Sequence, residues 1–227
     1  TADPEKVKEI ARWHNQRIKT HPPNAGLTKF GTPALLQGIN DAGFLPTRNF
    51  REGVFEGAEQ LAAPNYHDTI FHSKGTCYGC AVRCKRVVAA EWEGRTIDPA
   101  SGGPEYETTS VFGSYCDIDD LRAISYANQL CNQYGMDTIS CGATIAWAFD
   151  CYEQGLLTAE DTGGLELRFG NADQMLQLLE MIARRQGFGD QLAEGSARLA
   201  EQWGVADHAG NLTVKSQELA LHDPRVK

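Results

Sequence analysis

Apolar residues recur at helical spacing along most of the first half of the chain. A largely apolar stripe between polar residues predicts a helix over about residues 3–19. This stripe consists of Val7, Ile10, Ala11, His14 and Ile18. A short helix is predicted to begin after Pro33 and to end at Gly43, because proline favours a first helical turn and glycine a helix end. Two further short helices are predicted over 53–73.

The second half of the chain is more strongly helical. A helix with an acidic cap at 117–120 is predicted to end at Gly135, which suits a left-handed C-cap. The next helix, over about 138–154, is apolar on nearly every side and is therefore expected to be buried. Two more helices are predicted over 171–187 and 188–203.

Only one part of the pattern favours β-structure. Residues 86–92 and 95–97, joined by Glu93 and Gly94, predict a small hairpin. The last segment, 211–227, is expected to be extended or irregular. The predicted fold class is therefore mostly α and multihelical, with at most one small β hairpin.

The charge balance excludes several classes of partner. The 227 residues include 21 Lys and Arg against 30 Asp and Glu, a formal net charge of −9. With no basic run, the chain is not expected to bind nucleic acid or an anionic membrane. No apolar run approaches the roughly 18–20 residues that a bilayer requires. The N-terminus lacks a signal peptide and an initiator Met, so we expect a cytoplasmic protein whose sequence begins inside a longer chain.

Three of the seven cysteines, Cys77, Cys80 and Cys84, fall within eight residues. An odd number of closely spaced cysteines is a poor disulfide framework and points to metal or cluster ligation in a reducing compartment. An iron–sulfur cube needs thiolates on separate iron corners, and these spacings let one loop reach three of them. Gly75 and Gly79 would let the backbone wrap closely around inorganic sulfide.

Two other interpretations of the cysteines stay open. His72 could complete a Cys₃His set for a structural zinc, which would make the protein a zinc-stabilised helical scaffold without catalysis. Cys116 could supply a fourth cluster ligand, which would make it a self-contained iron–sulfur electron-transfer module. Cys131, Cys141 and Cys151 lie in predicted helices and are expected to act as small buried hydrophobic residues.

An ordered set of five further segments, read with the cysteine loop, resembles the aldehyde ferredoxin oxidoreductases, a family of tungsten-pterin enzymes. Each segment alone is a weak signal, but the set follows the family's order across most of the chain. The segments are 45–50 (LPTRNF), 103–108 (GPEYET), 132–140 (NQYGMDTIS), 192–195 (LAEG) and 222–225 (HDPR).

The resemblance implies the fold and activity of part of such an enzyme. It implies a first helical domain over 1–135, which carries the cysteine loop, and an incomplete second helical domain over 136–227. The family's N-terminal pterin-binding β domain and its C-terminal remainder would lie outside this chain. The implied activity is oxidation of an aldehyde to its carboxylic acid at a tungsten (or molybdenum) bis-pterin. Electrons would pass through a [4Fe–4S] cluster to ferredoxin. A family variant that reduces aromatic acyl thioesters stays open.

The resemblance also assigns cofactor residues. Cys77, Cys80 and Cys84 match three of four cluster ligands, and the fourth family cysteine would lie beyond the end of this chain. Asn132 and Asp137 match the two acidic positions of a D-x-x-G-L-D pterin-binding motif, with Asn in the first position and Met in place of Leu. The oxygens of both side chains could accept hydrogen bonds from the pterin's N–H groups.

By the same resemblance, Glu107 falls where the family has a glutamate beside the metal, a candidate proton acceptor. Glu105, two residues earlier, would be the matching glutamate if the chain were aligned to the family two residues differently. Tyr126 and Gln129 match the positions of a subunit-bridging iron site and are poor iron ligands, so that iron is expected to be missing. A homodimer without it stays open. His222 belongs to the HDPR segment and is given no catalytic role.

Overall fold

Short helices joined by turns make up most of the structure. The computed structural model describes residues 2–206 and 210–226. The helices are α1 (Pro4–Thr20), α2 (Pro23–Phe30), α3 (Leu36–Asp41), α4 (Ala58–Leu61), α5 (Ala63–Thr69), α6 (Tyr106–Phe112), α7 (Leu121–Tyr134), α8 (Thr138–Glu153), α9 (Ala172–Arg184), α10 (Phe188–Leu192) and α11 (Ser196–Gln202). Single 3₁₀ turns lie at Thr32–Leu35, Pro99–Ser101 and Ser114–Cys116. None of the helices in the described residues has the length and apolar character that a membrane crossing needs. The mostly α fold class is confirmed.

The predicted N-terminal helix is present as α1, but its apolar stripe is uncovered. The Asp3 carboxylate accepts a hydrogen bond from the backbone N–H of Lys6 at 2.9 Å and so caps the helix. No residue of α1 is buried, and Val7 and Ile10 are both about half exposed. The helical spacing therefore predicted the helix correctly, although most of its apolar face is exposed and only Ile18, beside α2, is partly buried.

Helix α8 forms the most deeply buried part of the core. An unbroken run from Cys141 to Cys151 is buried, as its all-round apolar pattern predicted. Helices α6 and α9 both pack against α8, and α7 packs against α9 and α6. One hydrophobic cluster extends from Leu36 to Leu221. Helices on both sides of residue 135 thus share a core, while the division into two domains there stays a prediction.

Helix ends follow the capping residues in most places. The Asp120 carboxylate accepts hydrogen bonds from the first turn of α7, and Gly135 ends that helix with a φ of 69°. Asn171 caps α9 in the same manner. The expected single helix over 188–203 is wrong: the chain divides into α10 and α11. Gly195, with a φ of 85°, precedes α11, and this left-handed conformation cannot continue a helix.

The described residues contain three small antiparallel sheets, whereas the sequence predicted one hairpin. Strands β3 (Ala90–Trp92) and β4 (Arg95–Ile97) form the predicted hairpin. Strand β2 (Arg86–Val88) pairs instead with β1 (Phe71–Lys74), which was expected to be helical. Local propensity could not indicate this pairing because the two strands lie more than ten residues apart in sequence. The ladder closes the segment between them into a loop.

A third hairpin lies in the segment that was expected to be irregular. It joins β5 (Thr213–Val214) to β6 (Gln217–Glu218). The two turn residues, Lys215 and Ser216, have φ angles of 54° and 62°. Positive φ at both positions is the type I′ geometry that tight hairpins favour. The sequence signal was weak because this turn usually contains Asn or Gly.

Close packing between α9 and α10 yields a prediction about stability. A Cβ at Gly189 would lie 2.3 Å from the carbonyl carbon of Met181, a backbone atom that cannot move independently. We expect Gly189→Ala to lower the free energy of unfolding by about 1–3 kcal/mol through overpacking. Gly26→Ala is the control, because a Cβ there meets nothing within 4 Å. It should raise the free energy of unfolding by up to about 1 kcal/mol. Urea unfolding followed by circular dichroism measures both, and equal effects would contradict the packing.

Candidate functional site

The β1–β2 ladder holds the three predicted ligand cysteines on one loop. The backbone N–H of Gly75 donates to the carbonyl oxygen of Lys85 at 2.9 Å, which closes the loop at its base. Within the loop, the N–H of Cys80 donates to the carbonyl oxygen of Cys77 at 3.1 Å. Gly79 completes the turn between them with a φ of 67°. Backbone hydrogen bonds thus hold the two ends of the loop together.

The three loop cysteines differ in their surroundings. Cys77 is exposed, whereas Cys80 and Cys84 are partly buried. Burial raises the pKa of Cys84, and the negative charge of Glu105 raises it further. Thiolate charge on Cys80 and Cys77 would raise the pKa of Cys84 further.

Among the described residues, no group of three or more His, Cys, Asp or Glu side chains is gathered around a point where one metal ion would bind. A zinc ion needs four ligands within about 2.0–2.3 Å of one centre. An iron–sulfur cube places its thiolates on separate irons and tolerates a wider spacing. His72 is exposed, and its ring contacts the Ser73 hydroxyl group at 3.2 Å. The zinc interpretation with His72 therefore gains no support.

The other cysteines lie in the core. Cys116 is fully buried, and its thiol donates to the carbonyl oxygen of Val111 at 3.2 Å. Burial raises the pKa of Cys116 and holds it as a neutral thiol. Cys131, Cys141 and Cys151 are likewise buried, as expected for small hydrophobic residues. The interpretation of Cys116 as a fourth cluster ligand thus gains no support either.

Two side chains anchor the cysteine loop to the end of α2. The Thr28 hydroxyl group donates to the carbonyl oxygen of Val82 at 3.0 Å. The guanidinium group of Arg86 donates to the carbonyl oxygens of Leu27 and Thr28 at 3.0 Å and 2.9 Å. Gly31, just beyond α2, fits only as glycine, because a Cβ there would lie 2.7 Å from the carbonyl oxygen of Cys84.

The candidate base Glu107 lies in the first turn of α6 and contacts the C-terminal segment. Its Oε2 accepts a hydrogen bond from the backbone N–H of Leu221 at 2.7 Å, and its Oε1 lies 3.1 Å from Nε2 of His222. The Tyr106 hydroxyl group donates to the carbonyl oxygen of Leu221 at 2.6 Å, and burial raises the pKa of Tyr106 to about 12. The fold thus brings His222, which the HDPR segment contains but which was given no catalytic role, into contact with Glu107.

Glu105 has different partners from Glu107. The Thr32 hydroxyl group donates to Glu105 and accepts a hydrogen bond from the backbone N–H of Tyr106 at 2.9 Å. Glu105 therefore faces the start of the 3₁₀ turn that follows Gly31, on the side of the cysteine loop. The two glutamates are chemically distinct despite being two residues apart.

The two candidate pterin residues line separate cavities. Asp137 caps α8 by accepting from the N–H of Ser140 at 3.0 Å, and it lies beside a cavity of about 390 Å³. Asn132 donates to the carbonyl oxygen of Ser101 at 3.2 Å and lines a cavity of about 350 Å³ at the base of the cysteine loop. The Thr108 and Thr138 hydroxyl groups, 2.9 Å apart, join α6 to α8. This bond brings Glu107 and Asp137 into the same region.

Tyr126 and Gln129, at the positions of the bridging iron, pack instead on the β3–β4 hairpin. The Gln129 amide accepts from the N–H of Asp98 at 2.7 Å and donates to the carbonyl oxygen of Thr96 at 3.1 Å. Tyr126 stacks on Trp92 with ring centroids 6.2 Å apart. Both side chains thus have structural partners within this chain, and the absence of the bridging iron stays a prediction.

Fold and site together define a multihelical protein that carries three thiols on a closed loop and, on α6, a glutamate paired with a histidine. The sequence profile described as aldehyde ferredoxin oxidoreductase, domains 2 and 3, matches residues 9–227. A tungsten-containing aldehyde ferredoxin oxidoreductase of Pyrococcus abyssi is 40% identical over 228 residues, which cover 99% of this chain and 36% of that protein. The chain therefore belongs to the aldehyde ferredoxin oxidoreductase family, whose named members are oxidoreductase enzymes. It spans about a third of the length of the curated relatives it matches.

Two further comparisons mark the breadth of the resemblance. An aliphatic sulfonate oxidoreductase, WOR-like subunit, of Pyrococcus furiosus is 31% identical over 156 residues, 68% of this chain and 24% of that protein. The solved active-site complex BamBC of benzoyl coenzyme A reductase superposes with a TM-score of 0.62 at 22% identity, covering 91% of this chain and 29% of that one. The structural likeness shows a shared fold.

The surroundings of the cysteines predict their reactivity in metal-free protein. Cys77 is exposed and should react quickly with iodoacetamide near pH 8. Cys84 should react more slowly, and faster as the pH rises, because its raised pKa leaves less thiolate. Cys116 should stay unmodified in the folded protein. Mass spectrometry of alkylated peptides over time measures all three, and alkylation of Cys116 as fast as that of Cys77 would contradict this placement.

Proposed function

We propose that the full-length protein oxidises an aldehyde to its carboxylic acid at a tungsten (or molybdenum) pterin and delivers the electrons to ferredoxin. In this reaction one aldehyde and one water give one carboxylic acid, two protons and two electrons. Two oxidised ferredoxins accept the electrons, one each. The family to which the chain belongs supports this reaction class.

One continuous series of contacts carries the proposal. It begins at Cys84, whose carbonyl oxygen packs on Gly31. Thr32 follows in sequence and bonds to Glu105 and to the backbone of Tyr106. The next residue, Glu107, contacts His222. Only a few residues therefore connect the cysteine loop to the candidate base. Electron transfer from the site of oxidation, beside Glu107, to a cluster on the cysteine loop requires such proximity.

Glu107 is the proposed proton acceptor. Its Oε1 and the Nε2 atom of His222 are close enough to share a proton, and the N–H of Leu221 fixes its other oxygen. A carboxylate oriented in this manner can take a proton from water or from a hydrated aldehyde. His222 would then stabilise or relay that proton.

Two groups of residues fit the proposed cofactors. The thiol donors of Cys77, Cys80 and Cys84, on a loop with a left-handed glycine, suit three corners of a [4Fe–4S] cluster. Asp137, beside its cavity, and Asn132, at the base of the cysteine loop, offer oxygens to pterin N–H groups. When bound, the metal and pterin accept the electron pair and the cluster passes electrons singly.

The expected partners are a small aldehyde and a ferredoxin. The site of electron exit would be the exposed side of the cysteine loop around Cys77. We propose a cytoplasmic enzyme with no nucleic acid or membrane partner, consistent with the formal charge of −9.

Substitution of Glu107 tests the proton acceptor. Glu107→Gln keeps the shape of the side chain and removes the basic oxygen. Aldehyde turnover by the full-length protein should fall by about 10²–10⁴-fold while tungsten, pterin and iron contents stay normal. Glu105→Gln, in the same segment but bonded to Thr32, should change turnover by less than tenfold. The reverse pattern would mean that Glu105 is the base, and unchanged turnover in both would place the base outside this chain.

Substitution of Asp137 tests the pterin site. Asparagine is as good a helix cap as aspartate, so Asp137→Asn should leave α8 intact while it removes a charged acceptor. We expect pterin and tungsten contents to fall together with activity, as measured by metal analysis and pterin fluorescence. Asp120→Asn, which alters the same kind of cap on α7, is the matched control. Equal cofactor losses in the two variants would indicate a structural role only.

A further inference from the structure

Arg86 is a buried cation that makes no ion pair with any other described residue. Its side chain is only 2% exposed. Besides the two carbonyl oxygens of α2, it donates through one terminal nitrogen to the carbonyl oxygens of Lys85 at 3.0 Å and Arg83 at 3.4 Å. Those two carbonyls belong to the residues on either side of Cys84. The guanidinium group thus lies against the peptide units that carry a candidate cluster ligand.

The charge of Arg86 has acidic groups around it but no direct ion pair among the described residues. Among the described residues, no carboxylate lies within ion-pair distance of it. The acidic groups that face it are Tyr66, Cys84 and Glu105. Tyr66 is a buried phenol that donates to a backbone carbonyl group, and Glu105 bonds to the Thr32 hydroxyl group. Backbone carbonyl oxygens satisfy hydrogen bonds but supply no net charge.

Within the part of the chain that the structure describes, one N–H group of Arg86 has no acceptor. The Nε atom is buried without a hydrogen-bond partner. A buried arginine stays protonated, and a buried charge is costly unless a counter-charge or a full set of hydrogen bonds stabilises it. An orphaned donor and a buried positive charge without a direct ion pair among the described residues therefore coincide next to the cysteine loop.

We infer that Arg86 is the fixed counter-charge of the iron–sulfur cluster held by Cys77, Cys80 and Cys84, and that it raises the reduction potential of that cluster. This inference rests on the proposed function. Thiolates and inorganic sulfides make such a cluster anionic, and each added electron increases the negative charge. A nearby desolvated cation stabilises the reduced form more than the oxidised form. Arg86 is thus a positioning residue that acts on the electron through the cluster.

A purely structural role for Arg86 makes a different prediction. As an anchor between α2 and the loop, it would affect stability and cluster loading but not the potential of clusters that do assemble. The midpoint potential therefore distinguishes the two roles.

The test uses the full-length protein, anaerobically purified, with iron and sulfide analysis and an EPR-monitored redox titration. Arg86→Gln removes the charge, and Arg86→Lys keeps it but cannot make all four carbonyl contacts. Arg83→Gln removes an exposed arginine from the same loop and is the control. We expect the midpoint potential to fall in Arg86→Gln, to stay near the wild-type value in Arg86→Lys, and to change little in Arg83→Gln.

Each remaining outcome is decisive. An unchanged potential in Arg86→Gln, or an equal fall in both Arg86 variants, overturns the inference while leaving the proposed function intact. If Arg86→Gln is isolated without a cluster, chemical reconstitution of both Arg86 variants decides. A cluster that loads into Arg86→Lys but not into Arg86→Gln supports the counter-charge. Failure of both variants to load a cluster overturns the inference. Absence of a cluster from the wild-type protein overturns both the proposed function and this inference.

Discussion

The contacts of the Arg86 guanidinium group bring together segments that are far apart in the chain. Four carbonyl oxygens, two at the end of α2 and two beside Cys84, accept its N–H groups. Because all four acceptors are backbone atoms, the contact depends on the relative position of the two segments rather than on particular side chains. Gly31 completes the fit, since any Cβ there would collide with the carbonyl oxygen of Cys84. Together with the β1–β2 ladder and the Thr28 hydrogen bond to Val82, this buried group fixes the position of the cysteine loop.

The same constraint extends to the two glutamates on either side of Tyr106. Thr32, directly after Gly31, bonds to Glu105 and to the backbone of Tyr106, and so fixes the start of α6. Helix α6 then packs closely on α8, where a Cβ at Gly142 would lie 2.8 Å from the Val111 side chain. The close packing of α6 on α8 therefore positions Glu107 on α6 and Asp137 at the start of α8. Rigid placement of this kind is what proton transfer and cofactor binding require.

Local signals in the sequence were sufficient for most helices and for none of the long-range contacts. The caps at Asp120 and Asn171 and the glycine at 135 were readable because capping depends on a few adjacent residues. The β1–β2 ladder could not be predicted, because the pairing of two strands across a long loop produces no periodic pattern of apolar residues in the sequence. The contact between Glu107 and His222 joins residues more than one hundred positions apart. Family resemblance named both segments, but only folding shows that they touch.

The measurement that tests the account most directly is the response of the cysteine loop to substrate in the full-length protein. Anaerobic addition of an aldehyde, followed by rapid freezing and EPR spectroscopy, reports whether electrons from the substrate reach an iron–sulfur cluster. If electrons leave through a cluster on the cysteine loop, a reduced-cluster signal should appear with aldehyde and disappear on addition of oxidised ferredoxin. The signal should be lost when Cys84 is replaced by serine. A cluster that stays oxidised while the aldehyde is consumed would contradict the account. So would a signal that survives the loss of Cys84 unchanged.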